Sequence, residues 1–282
     1  MRAPAEPAPG LLLHLSAPLQ AYGTGSRFAS IRDTATHPTR SALIGMIAAS
    51  LGIPRTRPEL LKTLRPLRFT IRVDRPGVIQ RDFHTVGGGH DDNSHTIVTA
   101  DGKPRALSKA TLVTERYYLA DAAFTIAVTT PDPRLLRTCA EALTTPHWPT
   151  HLGRRACPPD TPVFLTETTR PLAALTELPL HVAAGEHERY GTRVEFIADH
   201  PLDHLPVPAH KHTEAPEHGA TPGYALAAEP VSFHPLARAH TAVSYYRRRV
   251  RLPRTVPAGL GTAYLTAVTD YLDELRKDHA HA

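Results

Sequence analysis

Cysteine is almost missing from this 282-residue chain, which has only Cys139 and Cys157. Two cysteines exclude a disulfide framework, and their separation fits no metal-ligand motif. Long apolar runs are missing as well: nothing approaches the roughly 20 consecutive residues that a membrane-spanning helix needs. The run Leu11–Leu15 is interrupted by His14, and the Pro/Ala-rich start carries Arg2 and Glu6, unlike a secretory signal. The expectation is a soluble, cytoplasmic protein with no membrane partner. Aromatic residues make up 6%, so any platform for stacking bases rests on a few side chains. GxSxG, P-loop and dinucleotide fingerprints are absent, which removes the commonest hydrolase, NTPase and dehydrogenase readings. No cofactor is expected.

Proline and arginine are abundant. The 28 prolines gather in the first ten residues and between Pro201 and Pro235, stretches that read as coil with short extended pieces. Of the 32 basic residues, 27 are arginine. Its planar fork suits phosphate and stacks on bases, although a GC-rich genome gives the same ratio for no functional reason. Codon usage does not explain the distribution of charge. Residues 1–160 carry a net +7 and residues 161–282 a net −2. A basic first half beside a slightly acidic second half points to one face for a polyanion and another for something else.

Residues 1–9 read as a disordered leader. A strand at Leu11–Ser16 and a loop at Gln20–Arg40 follow. The next segment predicts a helix with Pro38 in its first turn, Leu43, Ile44, Ile47 and Leu51 on one side, and Gly52 closing its end. A short helix near Glu59–Leu64 precedes a half-buried strand at Leu67–Asp74 and another strand at Val78–Val86. Asp101-Gly102 signals a hairpin turn, Tyr117–Thr130 is β-rich, and 131–146 predicts a helix burying Leu135, Leu136, Cys139, Ala140 and Leu143. Strand, helix, strand, strand, helix is most of a ferredoxin-like β-α-β-β-α-β unit with an arm inserted after its third strand. The second half predicts antiparallel strands at Pro162–Glu167, Arg189–Ala198 and His240–Leu252, with a His/Pro-rich loop at His200–Gly223. A terminal helix over 257–277 carries the stripe Leu260, Tyr264, Val268, Tyr271, Leu272 and Leu275, a packing face.

Several constellations invite chemistry. In the loop Gln20–Arg40, Arg27, Arg32 and Arg40 bracket small residues, and Thr39 to Ser41 open a helix. Either the helix start attracts phosphate, or Thr36 or Thr39 caps it in the ordinary way. Arg81 and His84 lead into Gly87-Gly88-Gly89 and an arm tipped by Lys103, Arg105 and Lys109. The arm either wraps RNA or is a surface insertion. Arg154 and Arg155 beside Gly153 suit a phosphate contact or a plain surface turn. The run Arg247-Arg248-Arg249 with Arg251 serves RNA or a partner's acidic patch, its charges split between two faces by strand alternation. His200/His204 and His210/His212 permit ligation by spacing, but a Pro-rich loop fixes no tetrahedron, so no metal site is expected. His14 reads as a core or edge histidine rather than a general base. Tyr22, His84 and Lys109 can be drawn together as a metal-independent ribonuclease centre, although no spacing forces it.

Five blocks, in order, resemble the CasD family, the RAMP-type subunits of type I-E CRISPR Cascade. They are LHLSAPLQAYGTGSRF, RDTATHPTRSALIGMIAASLGI, RDFHTVGGG, TERYYLADAAFTIAV and PHWPTHLGRRACPPDTPVFL, within residues 10–166. The resemblance implies an α+β fold. A ferredoxin-like (RRM-like, RAMP) domain would cover 10–150 with a β-hairpin thumb over 86–113. A small β-rich C-terminal domain over 151–256 and a terminal helix over 257–282 would follow. It implies a non-catalytic role: capping and holding the crRNA 5′ handle beside the backbone and large subunits of Cascade, with target DNA met indirectly through the complex. The RNA-contact candidates are Gln20, Tyr22, Arg27, Arg32, Arg40, Ser41, Arg81, His84, Lys103, Arg105, Lys109, Arg154 and Arg155. The alternatives are a metal-independent repeat endoribonuclease of the RAMP superfamily and a protein-interaction scaffold. The leader and terminal helix look like additions to the family's usual length.

Overall fold

The computed structural model describes residues 9–24, 30–87, 103, 111–183, 192–206, 221–234, 237–253, 256 and 258–280. Its organising element is β1 (Gly10–Ser16), whose seven residues are all buried. A strand buried on both faces reads as a continuous apolar run. Leu11, Leu13 and Leu15 enter one hydrophobic core and Leu12 the other.

Two short strands, β2 (Leu19–Gln20) and β3 (Ile31–Arg32), precede helix α1 (Arg40–Ser50). Thr39 is the N-cap, its side chain accepting from the Ala42 N–H, so Pro38 stands before the helix and not in its first turn. Leu43, Ile44 and Ile47 are buried. Gly52, with φ of 72°, follows the C-cap, a left-handed position that glycine occupies without a Cβ penalty. A 3-10 helix (Pro58–Leu64) leads to β4 (Arg68–Arg75), β5 (Val78–Val86), β6 (Leu112–Ala120), β7 (Ala123–Thr129), α2 (Pro133–Thr144) and β8 (Phe164–Thr168). Then come α3 (Pro171–Glu177), β9 (Thr192–Ala198), β10 (Thr221–Ser232), β11 (Ala239–Leu252) and α4 (Gly261–Ala280).

Seven strands form one antiparallel sheet in the order β10-β11-β9-β4-β7-β1-β8. Strands from both halves of the chain therefore share it. Residues of α1 and α2 join the core on one face, and residues of α3 and α4 the core on the other. The fold is mixed α/β, with helices covering both faces of the sheet.

β4 departs from its expected half-burial. Thr70, Arg72 and Asp74 are buried along with Ile71, and Val73 is half-buried. Arg72 forms an ion pair with Asp74 at 2.7 Å and donates to the carbonyls of Leu175, Leu178 and Pro179, closing the C-terminal end of α3. A buried guanidinium survives only with its donors satisfied. Beside it, His14 contacts Thr125 Oγ1 at 3.3 Å, His181 at 3.0 Å and the Tyr264 hydroxyl at 3.2 Å. His14 is thus a satisfied core residue.

On α4, Tyr264, Val268, Leu272 and Leu275 are buried and Tyr271 is half-buried, whereas Leu260 precedes the helix and is exposed. No helix among the described residues is long and apolar enough to cross a membrane.

A smaller four-stranded sheet is centred on β6, which pairs with β2, β3 and β5. It leaves the large sheet at two turns. Asp121 turns β6 into β7 at φ of 54°, and Gly77 turns β4 into β5 at φ of 69°, where a Cβ would lie 2.6 Å from the Ala120 carbonyl oxygen. The turn Asp101-Gly102 and most of the arm between β5 and β6 lie outside the described residues.

Candidate nucleic-acid interface

The segment after β1 is laced to itself. The Tyr22 N–H donates to Thr34 Oγ1 at 2.9 Å, and the Ala35 N–H donates to the Tyr22 carbonyl at 2.8 Å. The Thr24 hydroxyl donates to Asp33 at 2.7 Å. These bonds hold β3 beside β6, so that Arg32 lies next to Arg116 in register.

The turn after α2 locks onto the same place. Gly153 has φ of 91°, and a Cβ there would fall 1.6 Å from the Ala21 carbonyl oxygen, so no other residue fits. Arg154 donates to the carbonyls of Tyr117 at 3.0 Å and Arg32 at 3.1 Å, and its guanidinium carbon lies 4.4 Å from the centre of the Tyr118 ring. Arg154 is therefore the clamp of the turn, and Arg155 beside it is exposed. Sequence blocks separated by about 120 positions meet here.

Residues opposite one another in an antiparallel pair share a face. One face of the small sheet carries Gln80, Asp82 and His84 from β5, set against Tyr118, Arg116 and Thr114 of β6. The other carries Ile79, Arg81 and Phe83, set against Leu119, Tyr117 and Glu115. Arg81 is exposed, 3.8 Å from Glu115, and Phe83 is 68% exposed. His84 is half-buried, and its Nδ1 is buried without a hydrogen-bond partner among the described residues. Sequence reading missed Arg116, whose register beside Arg32 no local pattern reveals. It also passed over Phe83, although an exposed aromatic within an Arg-Asp-Phe-His run is a stacking signal.

The other candidates stand elsewhere. Gln20 and Tyr22 are buried: the Tyr22 hydroxyl donates to Gln20 Oε1 at 2.6 Å, and Gln20 Nε2 donates to the Ala122 carbonyl at 2.7 Å. Burial holds the Tyr22 hydroxyl well above the ordinary tyrosine range. Arg40 is buried too. It pairs with Asp199 and Glu229 and donates to the carbonyls of Leu67 at 2.6 Å and Arg65 at 2.9 Å. Its N–H donates to the Tyr245 hydroxyl at 2.7 Å, so the start of α1 faces the interior and ordinary capping by Thr39 is what is seen. Half-buried Ser41 meets His240 Nε2 at 3.0 Å. The expected solvent-facing set thus loses Gln20, Tyr22 and Arg40 to the interior. Lys103 is exposed, and Arg27, Arg105 and Lys109 lie outside the described residues, as do His210 and His212. His200 Nε2 meets Thr70 Oγ1 at 3.1 Å, and no group of three possible metal ligands converges among the described residues.

A family model described as CRISPR-associated protein (Cas_Cas5) matches residues 10–256. The chain belongs to the CRISPR-associated Cas5 family. The matched span ends before α4 begins at Gly261. The Cas5 chain is 37% identical over 167 residues to the CRISPR system Cascade subunit CasD of Escherichia coli (strain K12), covering 55% of this chain and 69% of that protein. It is similar to a chain of a solved "CRISPR RNA-guided surveillance complex" at 37% identity and a TM-score of 0.75, covering 94% of this chain and 99% of the other. A "Crystal structure of Cas protein" is similar at 27% identity and a TM-score of 0.53, covering 88% and 97%.

Proposed function

We propose that this Cas5 protein is a subunit of a CRISPR Cascade complex of type I-E that holds the 5′ handle of crRNA without cutting it. The reading rests on the likeness to CasD and to a chain of an RNA-guided surveillance complex. The observation that carries it is the clamped turn, in which Arg154 is spent on the scaffold and Arg155 is presented to solvent. Arg32, Arg116 and Arg155 supply phosphate contacts, with His84 on the same sheet face as Arg116. Arg81 and Phe83 on the opposite face meet a phosphate and a splayed base where the RNA passes round the sheet. Lys103, Arg105, Lys109 and Arg27 are further candidates for RNA contact. Buried Gln20 and Tyr22 act as supports beside β6, and Arg40 and Ser41 fix the start of α1 against the large sheet.

The sheet order β8-β1-β7-β4, with α1 and α2 as its connections, fits a ferredoxin-like unit. β5 and β6 form the base of the thumb. The backbone and large subunits of Cascade are the protein neighbours, and target DNA is met through them. The endoribonuclease alternative needs an accessible Tyr22, whose hydroxyl is buried and engaged by Gln20.

End-labelled repeat RNA incubated with the purified chain tests the reading. It should bind in a strongly salt-dependent way, because phosphate neutralisation releases counterions, and stay intact for hours. A specific cut, or no preference over a scrambled RNA, would overturn it.

A further inference from the structure

β11 holds Arg247, Arg248, Arg249 and Arg251 within five residues, and strand alternation divides them unequally. Arg248 lies on the side of α3 and α4 and donates to the Leu202 carbonyl at 3.1 Å. Arg247, Arg249 and Arg251 lie on the opposite side. There the register sets them against Ile197, Glu195 and Arg193 of β9. Four arginines therefore share one face of two adjacent strands with a single carboxylate, Glu195, which lies 3.5 Å from Arg247. Arg193 and Arg249 are exposed.

Arg193 stands directly opposite Arg251, and like charges so placed destabilise a sheet. A polyanion bound across the two strands would relieve that repulsion. Alternate residues on a strand are about 6.8 Å apart, of the order of the step between neighbouring phosphates on a nucleic-acid strand. The face carries no exposed large apolar or aromatic side chain on β9 or β11, so it lacks both the apolar centre of a protein interface and a stacking platform for bases. Its chemistry reads phosphate and not sequence. Its position is also informative. Val73 of β4 pairs with Glu195, which sets Arg193 level with the end of β4 that turns into β5.

We propose that Arg193, Arg247, Arg249 and Arg251 form a second nucleic-acid site that grips a sugar–phosphate backbone without regard to sequence, separate from the surface around Arg155.

The test uses the full-length chain carrying Arg193→Gln and Arg249→Gln together, with Arg155→Gln in parallel. Fluorescence anisotropy follows a labelled mixed-sequence single-stranded DNA through a salt series, and circular dichroism melting checks the fold. Binding should weaken, and the slope of log affinity against log salt should fall by about 1.4, about 0.7 for each lost single-strand phosphate contact. The melting temperature should hold or rise, and any preference for repeat RNA over scrambled RNA should persist. A folded double variant with unchanged affinity and slope overturns the proposal, as does a parent chain that does not bind this DNA. A double variant that binds DNA normally but no longer assembles with protein subunits also overturns it, in favour of a protein-docking face. Failure of the handle reading is distinct: the unmodified chain would show no preference for repeat RNA.

Discussion

Arg154 lies over the ring of Tyr118, its guanidinium carbon 4.4 Å from the ring centre, while the adjacent Arg155 is exposed. Two neighbouring arginines thus have separable roles. Arg155→Gln should leave the melting temperature unchanged and lower RNA affinity, with the salt slope reduced by about 0.7. Arg154→Ala strands carbonyls that it now serves and should destabilise by about 1–3 kcal/mol. Thermal melts and a salt-dependent binding series on both variants check this.

Arg40 gives the opposite contrast. Its removal leaves Asp199, whose side chain is 1% exposed, without its cation. Arg40→Met should cost about 3–5 kcal/mol while the folded fraction binds RNA as the parent does. Lost affinity with an unchanged melt would instead mean a direct RNA contact.

His14 makes the fold acid-sensitive. Burial pushes its pKa down to about 3, and nearby Asp74 opposes the shift while His181, Arg72 and Arg75 add to it. An unfolded histidine takes up its proton near pH 6.5, so between about 6.5 and 3 the unfolded chain binds more protons. Stability is then full above about pH 6.5 and falls on acidification, by up to about 1.4 kcal/mol per pH unit for this group. His37, lowered to about 4 by burial, acts in the same direction. Urea unfolding across this range should show a shallower acid slope for His14→Gln. An identical slope would remove His14 from the account.

α4 is a packing helix. Leu272 is buried in the second core, and Asp273 beside it is exposed, paired with Arg276 at 2.9 Å. Leu272→Ala should cost about 2–5 kcal/mol, whereas Asp273→Ala should stay within about 0.5 kcal/mol. Chemical denaturation of the two variants side by side measures the difference.

Local pattern made β1, α1, α2 and α4 legible, because an apolar run, a helical stripe, a cap and a closing glycine are all written within a few residues. β10 was not legible. Its first residues fell in the expected His/Pro-rich loop, and Pro222 and Pro230 argue against a strand except at a sheet edge, which is where β10 lies. Arg40 looked like a loop arginine because its carboxylate partner Asp199 is 159 positions away. Gln20 and Tyr22 misled similarly, since position in a loop does not say which side chains turn inward. Arg154 and Arg155 were legible as a pair but not as clamp and contact, a distinction that depends on β6 and β3. The arginine face of β9 and β11 requires the strand register, and no single segment contains it.

The most direct test of the central claim is to copurify the tagged full-length chain from cells carrying its own CRISPR array and sequence any short RNA that comes with it. The account predicts RNA with a uniform, repeat-derived 5′ end. Random cellular RNA, or an assembled complex holding no RNA, would contradict it.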